Sequence, residues 1–373
     1  MQFIDLNRQQ QRIRDQIESN IIKILNHGKY ILGPEVFELE KQLGEFTGIK
    51  HAIACSSGTD ALLLALLAYN IGHGDIVITT PFTFIATAEV ISLLGARPVF
   101  SDIDSQTFNI DPEKLEQTIQ NLIKNEKKPK AIIPVDIFGL PADYNSIHDI
   151  AKKYNLYVIE DAAQSFGAQY FDKRACSLCE ITCTSFFPAK PLGGYGDGGM
   201  IFTNKDELND CIRSILVHGQ GENKYQNVRT GINARLDSLQ AAVLLPKFSI
   251  FPDELELREK TANSYNELLK NSSLITQLIP DGYKSAWAQY SILASNENER
   301  KKILDSLTKN NIPSAIYYPI PLHLQKVFKT LDYKEGDFPI CEDISKRVFS
   351  IPMHPYLTIE EQKQIVDIII ESL

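Results

Sequence analysis

The sequence has no apolar run near the roughly 20 residues a bilayer-spanning helix needs, so none is predicted. Cysteine is sparse. Six residues (Cys55, Cys176, Cys179, Cys183, Cys211 and Cys341) in 373 do not make a disulfide framework and read as free thiols. Cys176-Ser-Leu-Cys179 has the spacing of a redox pair or half a zinc site, but no second Cys/His pair accompanies it, so no metal is expected. There is no excess of basic residues: 38 Lys and Arg stand against 47 Asp and Glu, a net charge of −9. That balance argues against broad nucleic-acid binding and leaves room for a small anion held locally. Met1-Gln2-Phe3-Ile4-Asp5-Leu6 lacks a basic segment followed by an apolar core, which makes the cytoplasm the expected location. No G-x-x-x-x-G-K-[ST] occurs, so a P-loop is excluded. Gly194-Tyr-Gly196-Asp-Gly-Gly199 satisfies G-x-G-x-x-G but precedes a strand where a dinucleotide fingerprint opens a helix, and a nicotinamide dehydrogenase is rejected on that ground.

What is present is ordinary for a globular protein, with 43% hydrophobic and 23% charged residues. Isoleucines 13, 17, 21, 22 and 24 predict an amphipathic helix from about Gln9 to Asn26, stopped by Gly28, and a second helix runs from Pro34 to Gly48. Short apolar runs then alternate with helical segments. Strands are expected at Ala52–Cys55, Ile76–Thr79, Pro98–Phe100, Ala131–Val135, Tyr157–Ile159, Thr182–Phe186 and Met200–Thr203. Helices are expected at Ala61–Tyr69, Ile85–Leu94, Pro112–Lys124 and Ile147–Tyr154. This is the pattern of βαβ units around a mostly parallel sheet, an α/β fold. Two further helices are expected, Ala234–Leu245 and Pro252–Leu269. A last helix runs from Ile359, capped by Thr358. Residues 1–250 read as a large domain and 251–373 as a smaller α+β domain that includes the connecting helix.

Four stretches carry chemistry. Lys190 lies between an apolar strand and a glycine-rich turn, where desolvation disfavours its ammonium and leaves a nucleophilic amine. Ser56-Ser57-Gly58-Thr59-Asp60 follows a strand and opens a helix, so it either receives a phosphate on the helix amino terminus or simply caps that helix. Glu160-Asp161 ends a buried strand, at the edge where open α/β sheets bind ligands; Asp161 suits a cationic ring nitrogen or, again, a helix cap. Phe84 follows another strand end and offers a face to a planar ring, or belongs to the core. One ligand accounts for all four: a phosphate cradle, a carboxylate, an aromatic face and a poised lysine are what pyridoxal 5'-phosphate requires.

The order Ser57-Gly-Thr-Asp60, Thr83-Phe-Ile-Ala-Thr87, Glu160-Asp-Ala-Ala-Gln164, Ser185-Phe-Phe-Pro-Ala-Lys190, Gly196-Asp-Gly-Gly199 and Asn233-Ala-Arg235 resembles the DegT/DnrJ/EryC1/StrS family of sugar aminotransferases. The resemblance extends through Tyr318-Pro-Ile-Pro-Leu-His323 to Ser350-Ile-Pro-Met-His-Pro355. It implies fold type I of the pyridoxal phosphate enzymes, a homodimer with shared active sites, and a cofactor cycling with pyridoxamine phosphate. By the same resemblance Lys190 is the catalytic lysine, Asp161 the partner of the ring nitrogen and Gln164 the neighbour of the ring hydroxyl. Phe84 stacks on the ring; Gly58, Thr59 and Ser185 bind phosphate, and Asn233 does so from the neighbouring subunit. Arg235, Tyr317, Tyr318 and His323 are the residues assigned to the sugar-nucleotide side, with Tyr317 standing where the family pattern has histidine; Tyr317 and His323 either touch the substrate there or serve to fold the smaller domain.

Relatives with histidine in place of the lysine are dehydratases, so Lys190 implies transamination, with L-glutamate as donor. Leu192-Gly-Gly-Tyr-Gly-Asp197-Gly-Gly resembles the branch acting at the C3 keto group of a nucleotide sugar. Within it the chain is similar to members acting on UDP-2-acetamido-2-deoxy-3-oxo-glucuronate in surface polysaccharide synthesis. A dTDP-3-keto-6-deoxyhexose and a sensor that binds the cofactor without turnover are the alternatives.

Overall fold

The computed structural model describes residues 1–373. The isoleucine stripe near the start becomes the inner face of helix α1 (Leu6–His27), with Ile13, Ile17 and Ile24 buried. Asp5 caps its start, and Gly28 ends it at φ 70°, a left-handed conformation that costs glycine no Cβ clash. Helix α2 (Pro34–Thr47) follows. The chain then alternates through β1 (His51–Cys55), α3 (Gly58–Ala68), β2 (Ile76–Thr79), α4 (Ala86–Leu93), β3 (Arg97–Phe100), α5 (Pro112–Lys124), β4 (Ala131–Ile133), α6 (Tyr144–Tyr154) and β5 (Tyr157–Asp161). After the short strands β6 (Gln169–Tyr170) and β7 (Lys173–Arg174) come β8 (Ile181–Ser185), β9 (Gly199–Thr203), α7 (Asp206–Ile215) and α8 (Ser238–Leu269).

Seven strands form one sheet in the order β1-β9-β8-β5-β4-β2-β3. Neighbours from β8 to β3 are parallel, and β9 alone runs antiparallel to both of its neighbours. Because strand side chains alternate, one face presents Ile53, Val77, Ile133, Ile159 and Ile201 to α3, α4 and α7. The other presents Ile78, Ile132 and Val158 to α5 and α6, and Ala52, Ala54, Met200 and Phe202 to α2 and α8. Burial on both faces explains why the strands read as continuous apolar runs.

The smaller unit contains β10 (Ile275–Thr276), β12 (Tyr290–Leu293), α9 (Glu297–Lys309), α10 (Pro339–Arg347), β13 (Val348–Ile351) and α11 (Ile359–Glu371), while β11 (Tyr283–Lys284) returns to pair with β6 of the larger one. Its sheet is β10-β12-β13, and its core joins Ala262 and Tyr265 of α8 to Ile292, Ile303, Phe349 and Ile365. Thr358 and Glu361 form a reciprocal capping box at the start of α11.

One expectation is corrected. The two helices anticipated between Ala234 and Leu269 are a single 32-residue helix, α8, with Pro246 and Pro252 inside it. Proline at 246 removes the donor for the Ala242 carbonyl, and the Asn20 side-chain amide lies 3.4 Å from that oxygen in its place. The expected boundary at 250/251 therefore falls within a continuous helix that contributes Leu244 and Phe251 to one core and Tyr265 and Leu269 to the other.

Reversal of β9 brings its first residue, Gly199, opposite both Cys55 and Ser185, the last residues of β1 and β8. A Cβ on Gly199 would lie 2.4 Å from the Ser57 carbonyl oxygen and 2.8 Å from the Gly58 nitrogen, so only glycine lets these backbones meet. Gly199→Ala is expected to lower unfolding stability by about 1–3 kcal/mol, read as a lower urea midpoint; an unchanged midpoint would show that the junction relaxes without cost.

Candidate active site

The carboxyl edge of the sheet gathers residues far apart in the chain. At β1, Ser57 caps α3 by accepting from the Asp60 N–H at 3.0 Å, and both serine hydroxyls donate to the Asp60 carboxylate. The capping reading of this motif is therefore realised by Ser57, while the N–H groups of Gly58 and Thr59 take no acceptor within the chain. A Cβ on Gly58 would lie 2.7 Å from Ser185 Cβ; its absence lets the Ser185 hydroxyl close the other side of this concavity. Two free N–H groups, the dipole end of an eleven-residue helix and two hydroxyls are the donor set of a phosphate.

At the end of β5, Asp161 is buried. Its Oδ2 accepts from Thr87 Oγ1 at 2.8 Å and its Oδ1 from the Ala163 N–H at 3.2 Å. Burial raises its pKa, opposed by those two hydrogen bonds and by the charge of Lys190. Lys190 follows a tight turn in which its own N–H donates to the Phe187 carbonyl at 2.8 Å. Its amine makes no hydrogen bond, and desolvation lowers its pKa to about 8, with Asp161 pulling the other way. Desolvation is the larger effect, so the pair leaves a substantial fraction of neutral amine at mildly alkaline pH.

Glu160, one residue earlier, faces the opposite side of the strand. It accepts from the N–H groups of Cys176 and Leu178 and from Thr182 Oγ1 at 2.7 to 3.0 Å, which makes it an anchor for the 176–178 turn. Gln164 accepts from the Phe138 N–H at 2.7 Å and donates to the Tyr318 hydroxyl at 3.1 Å. That bond brings Tyr318 to the same edge, its ring standing on Phe82 with centroids 6.1 Å apart. Phe84 is 55% exposed, a free face and not part of the core.

Arg235 pairs in a β-bridge with Cys55, placing it beside the start of α3. Its Nε is buried and has no acceptor, and its guanidinium forms no ion pair in the chain. Asn233 lies exposed on the outer surface. Tyr317 packs edge-on against Phe3, with centroids 6.4 Å apart, and against Tyr318. His323 is placed differently from the rest: it is buried, its Nε2 is 3.0 Å from Glu342, and Phe338 and Tyr333 cover its ring. It contributes to the packing of residues 322–344 onto Phe100 of β3.

The pattern of the DegT/DnrJ/EryC1/StrS aminotransferase family matches residues 11–370. The chain belongs to this family. It is 49% identical over 357 residues to the UDP-2-acetamido-2-deoxy-3-oxo-D-glucuronate aminotransferase of Pseudomonas aeruginosa, with 96% of each chain covered. The crystal structure of a DegT DnrJ EryC1 StrS aminotransferase from Brucella abortus matches with TM-score 0.96 and 49% identity, over 100% of this chain and 99% of that one. S. venezuelae DesV matches with TM-score 0.94 and 30% identity, over 99% and 97% of the two chains. The fold is thus the fold type I arrangement, and the enzyme is a sugar aminotransferase dependent on pyridoxal phosphate.

The residues present fit that cofactor: the free N–H groups of Gly58 and Thr59, the opening that a Cβ at position 58 would fill, and an amine without a partner facing a buried carboxylate. Two further contributors went unassigned in the sequence. Thr87, which orients Asp161, lies in the first turn of α4, and its hydroxyl is 3.1 Å from that of Thr83 in the bend that precedes the helix. Asp136, whose pKa burial pushes up to about 7, accepts from Ser165 Oγ at 2.6 Å and Tyr144 at 2.8 Å, steadying the 161–165 turn. No local signal marks it.

The Lys190 amine should react with a small carbonyl probe at a rate that rises with pH around a midpoint near 8, well below the 10.5 of an ordinary lysine. Asp161→Asn removes the charge that favours the ammonium, so the midpoint should move lower still; an upward move would contradict this electrostatic account.

Proposed function

We propose that this enzyme transfers an amino group from L-glutamate to the C3 keto group of UDP-2-acetamido-2-deoxy-3-oxo-glucuronate, in the cytoplasm, for surface polysaccharide synthesis. The observation that carries the reaction is the meeting of Lys190, Asp161 and the unpaired N–H groups of Gly58 and Thr59 at one sheet edge. For the substrate, support comes from the likeness to the Pseudomonas aeruginosa enzyme over nearly the whole chain.

When bound, pyridoxal phosphate supplies an electron sink that makes a proton on the neighbouring amino-acid carbon labile. In this reading the backbone of Gly58 and Thr59, with the hydroxyls of Thr59 and Ser185, holds the phosphate. Asp161, held by Thr87 and Ala163, keeps the ring nitrogen protonated. Gln164, fixed by Phe138 and bonded to Tyr318, stands at the ring hydroxyl, and Phe84 covers the ring face. Lys190 Nζ, neutral once it has given up its proton, takes a proton from one carbon and returns it to another. Arg235, with no carboxylate of its own chain to satisfy it, is the fork for a substrate carboxylate or phosphate. Tyr317 lines the approach beside Tyr318.

The working unit in this reading is a homodimer in which Asn233 reaches the neighbour's phosphate site. Its exposure supports that role, as do the exposed Ile22 and Leu25 of α1 and the exposed Tyr30 and Ile31 that follow it.

Glutamate should bleach the visible absorbance of the loaded enzyme, and Lys190→Ala should abolish multiple turnovers; a Lys190→Ala protein that continues to turn over sinks the assignment. In the reverse half-reaction, a panel of UDP- and dTDP-linked 3-amino sugars with and without a C6 carboxylate should single out the UDP-linked acid. Arg235→Lys should erase most of that preference, by about 1.5–3 kcal/mol for a lost charge-assisted hydrogen bond. A panel led by dTDP-6-deoxy sugars would move the substrate to that class.

A further inference from the structure

The turn that follows Lys190 has four glycines between 193 and 198 and the next strand, which by itself makes it a loose support for an amine that must be placed closely. Two side chains of α8 hold it. Gln240 accepts from the Tyr195 N–H at 3.0 Å, and its amide occupies the space that a Cβ would need at Gly194 and Gly196, 2.9 and 2.6 Å away. Lys247, two helical turns further along the same face, is fully buried and its Nζ has no hydrogen-bond partner. That Nζ lies 4.7 Å from the centroid of the Tyr195 ring, within the range of a cation–π contact, which is strongest when desolvated. Of the acidic residues that follow Lys247 on α8, Asp253 pairs with Arg12 at 2.7 Å and Glu254 is committed elsewhere, accepting from Gln9 Nε2 and from the Tyr356 hydroxyl. A buried lysine without a hydrogen-bonded anion adds nothing to folding that an apolar side chain of similar size would not match, so its presence needs another reason.

We propose that Gln240 and Lys247 are positioning residues for Lys190, gripping Tyr195 by its N–H and by its ring so that the glycine turn presents the amine at a fixed height above the sheet edge. The role rests on Lys190 being the lysine that takes up the cofactor. Gln240 fixes the backbone of the turn and Lys247 fixes the ring, and together they tie the loop to the helix that also carries the core of the smaller unit.

The test follows uptake of pyridoxal phosphate by the full-length protein through its visible absorbance, alongside thermal unfolding of the same samples. Lys247→Met should unfold at or above the wild-type temperature yet take up the cofactor at least about tenfold more slowly, and Lys247→Arg should recover to within about threefold, since a 1 Å misplacement costs on the order of 10²-fold. Tyr195→Phe, which keeps the ring, should behave as wild type, and Tyr195→Leu should reproduce the loss. The proposal is overturned by wild-type uptake in Lys247→Met or Tyr195→Leu, or by Lys247→Arg doing no better than the methionine variant. If Lys247→Met does not fold, Tyr195→Leu against Tyr195→Phe decides alone. A Lys190→Ala control with the wild-type absorbance would instead overturn the assignment of Lys190 itself.

Discussion

The burial of Asp161 is the constraint around which the site is built. A carboxylate at the end of an interior strand loses its water and rises in pKa, and Thr87, the Ala163 N–H and the nearby Lys190 each oppose that rise by favouring its ionised form. Each of these has a second consequence. Thr87 is held in turn by Thr83, so α4 is locked to the strand edge. Lys190, itself short of water, is left with a lowered pKa and no hydrogen bond, and the Asp161 charge is its main electrostatic restraint. On the proposed reading, a cationic ring nitrogen held by Asp161 would compete with Lys190 for its charge, which would make the lysine easier to deprotonate. The same carboxylate serves recognition of the ring and readiness of the base.

Periodicity carried most of the architecture because burial on both faces makes each strand a short apolar run bounded by turns, and each helix an amphipathic stripe. Pro112–Lys124 and Ile76–Thr79 were readable to the residue for that reason. The exception, α8, shows the limit of a local rule. Proline argues for a break, but a helix buried along two cores, with Asn20 beside the freed carbonyl, continues through it. At the site, residues with local motifs were readable and those defined by distant neighbours were not. Asp136 acquires its role only when Ser165 and Tyr144 fold over it. His323 lies in a motif that suited either a ligand contact or packing, and Glu342, nineteen residues on, draws it into the interior.

Consecutive carboxylates on β5 illustrate how strand geometry divides labour. Glu160 and Asp161 have similar chemistry, yet alternation along the strand sends one to the 176–178 turn and the other to the cofactor side. A register slip of one residue would exchange them and put the turn anchor in the site. The parallel pairing of β5 with β8, Glu160 opposite Thr182 and Asp161 opposite Cys183, holds that register, since the Thr182 hydroxyl bonds to the Glu160 carboxylate.

The single antiparallel strand explains why Lys190 can be placed at all. A parallel strand after β8 would require a crossover that carries the chain to the opposite end of the sheet, and the lysine would then begin a long connection fixed only at one end. With β9 reversed, residues 186–198 leave and return at the same edge. The loop is closed at its base by the Phe186 N–H on the Gly198 carbonyl and tightened by the Gly194 N–H on the Phe186 carbonyl, both at 2.7 Å. Its two stems are the paired residues Ser185 and Gly199. Gly199 in turn must be glycine because Ser57 and Gly58 lie against it. The phosphate cradle and the lysine loop are therefore one mechanical unit, and a shift in either moves the other.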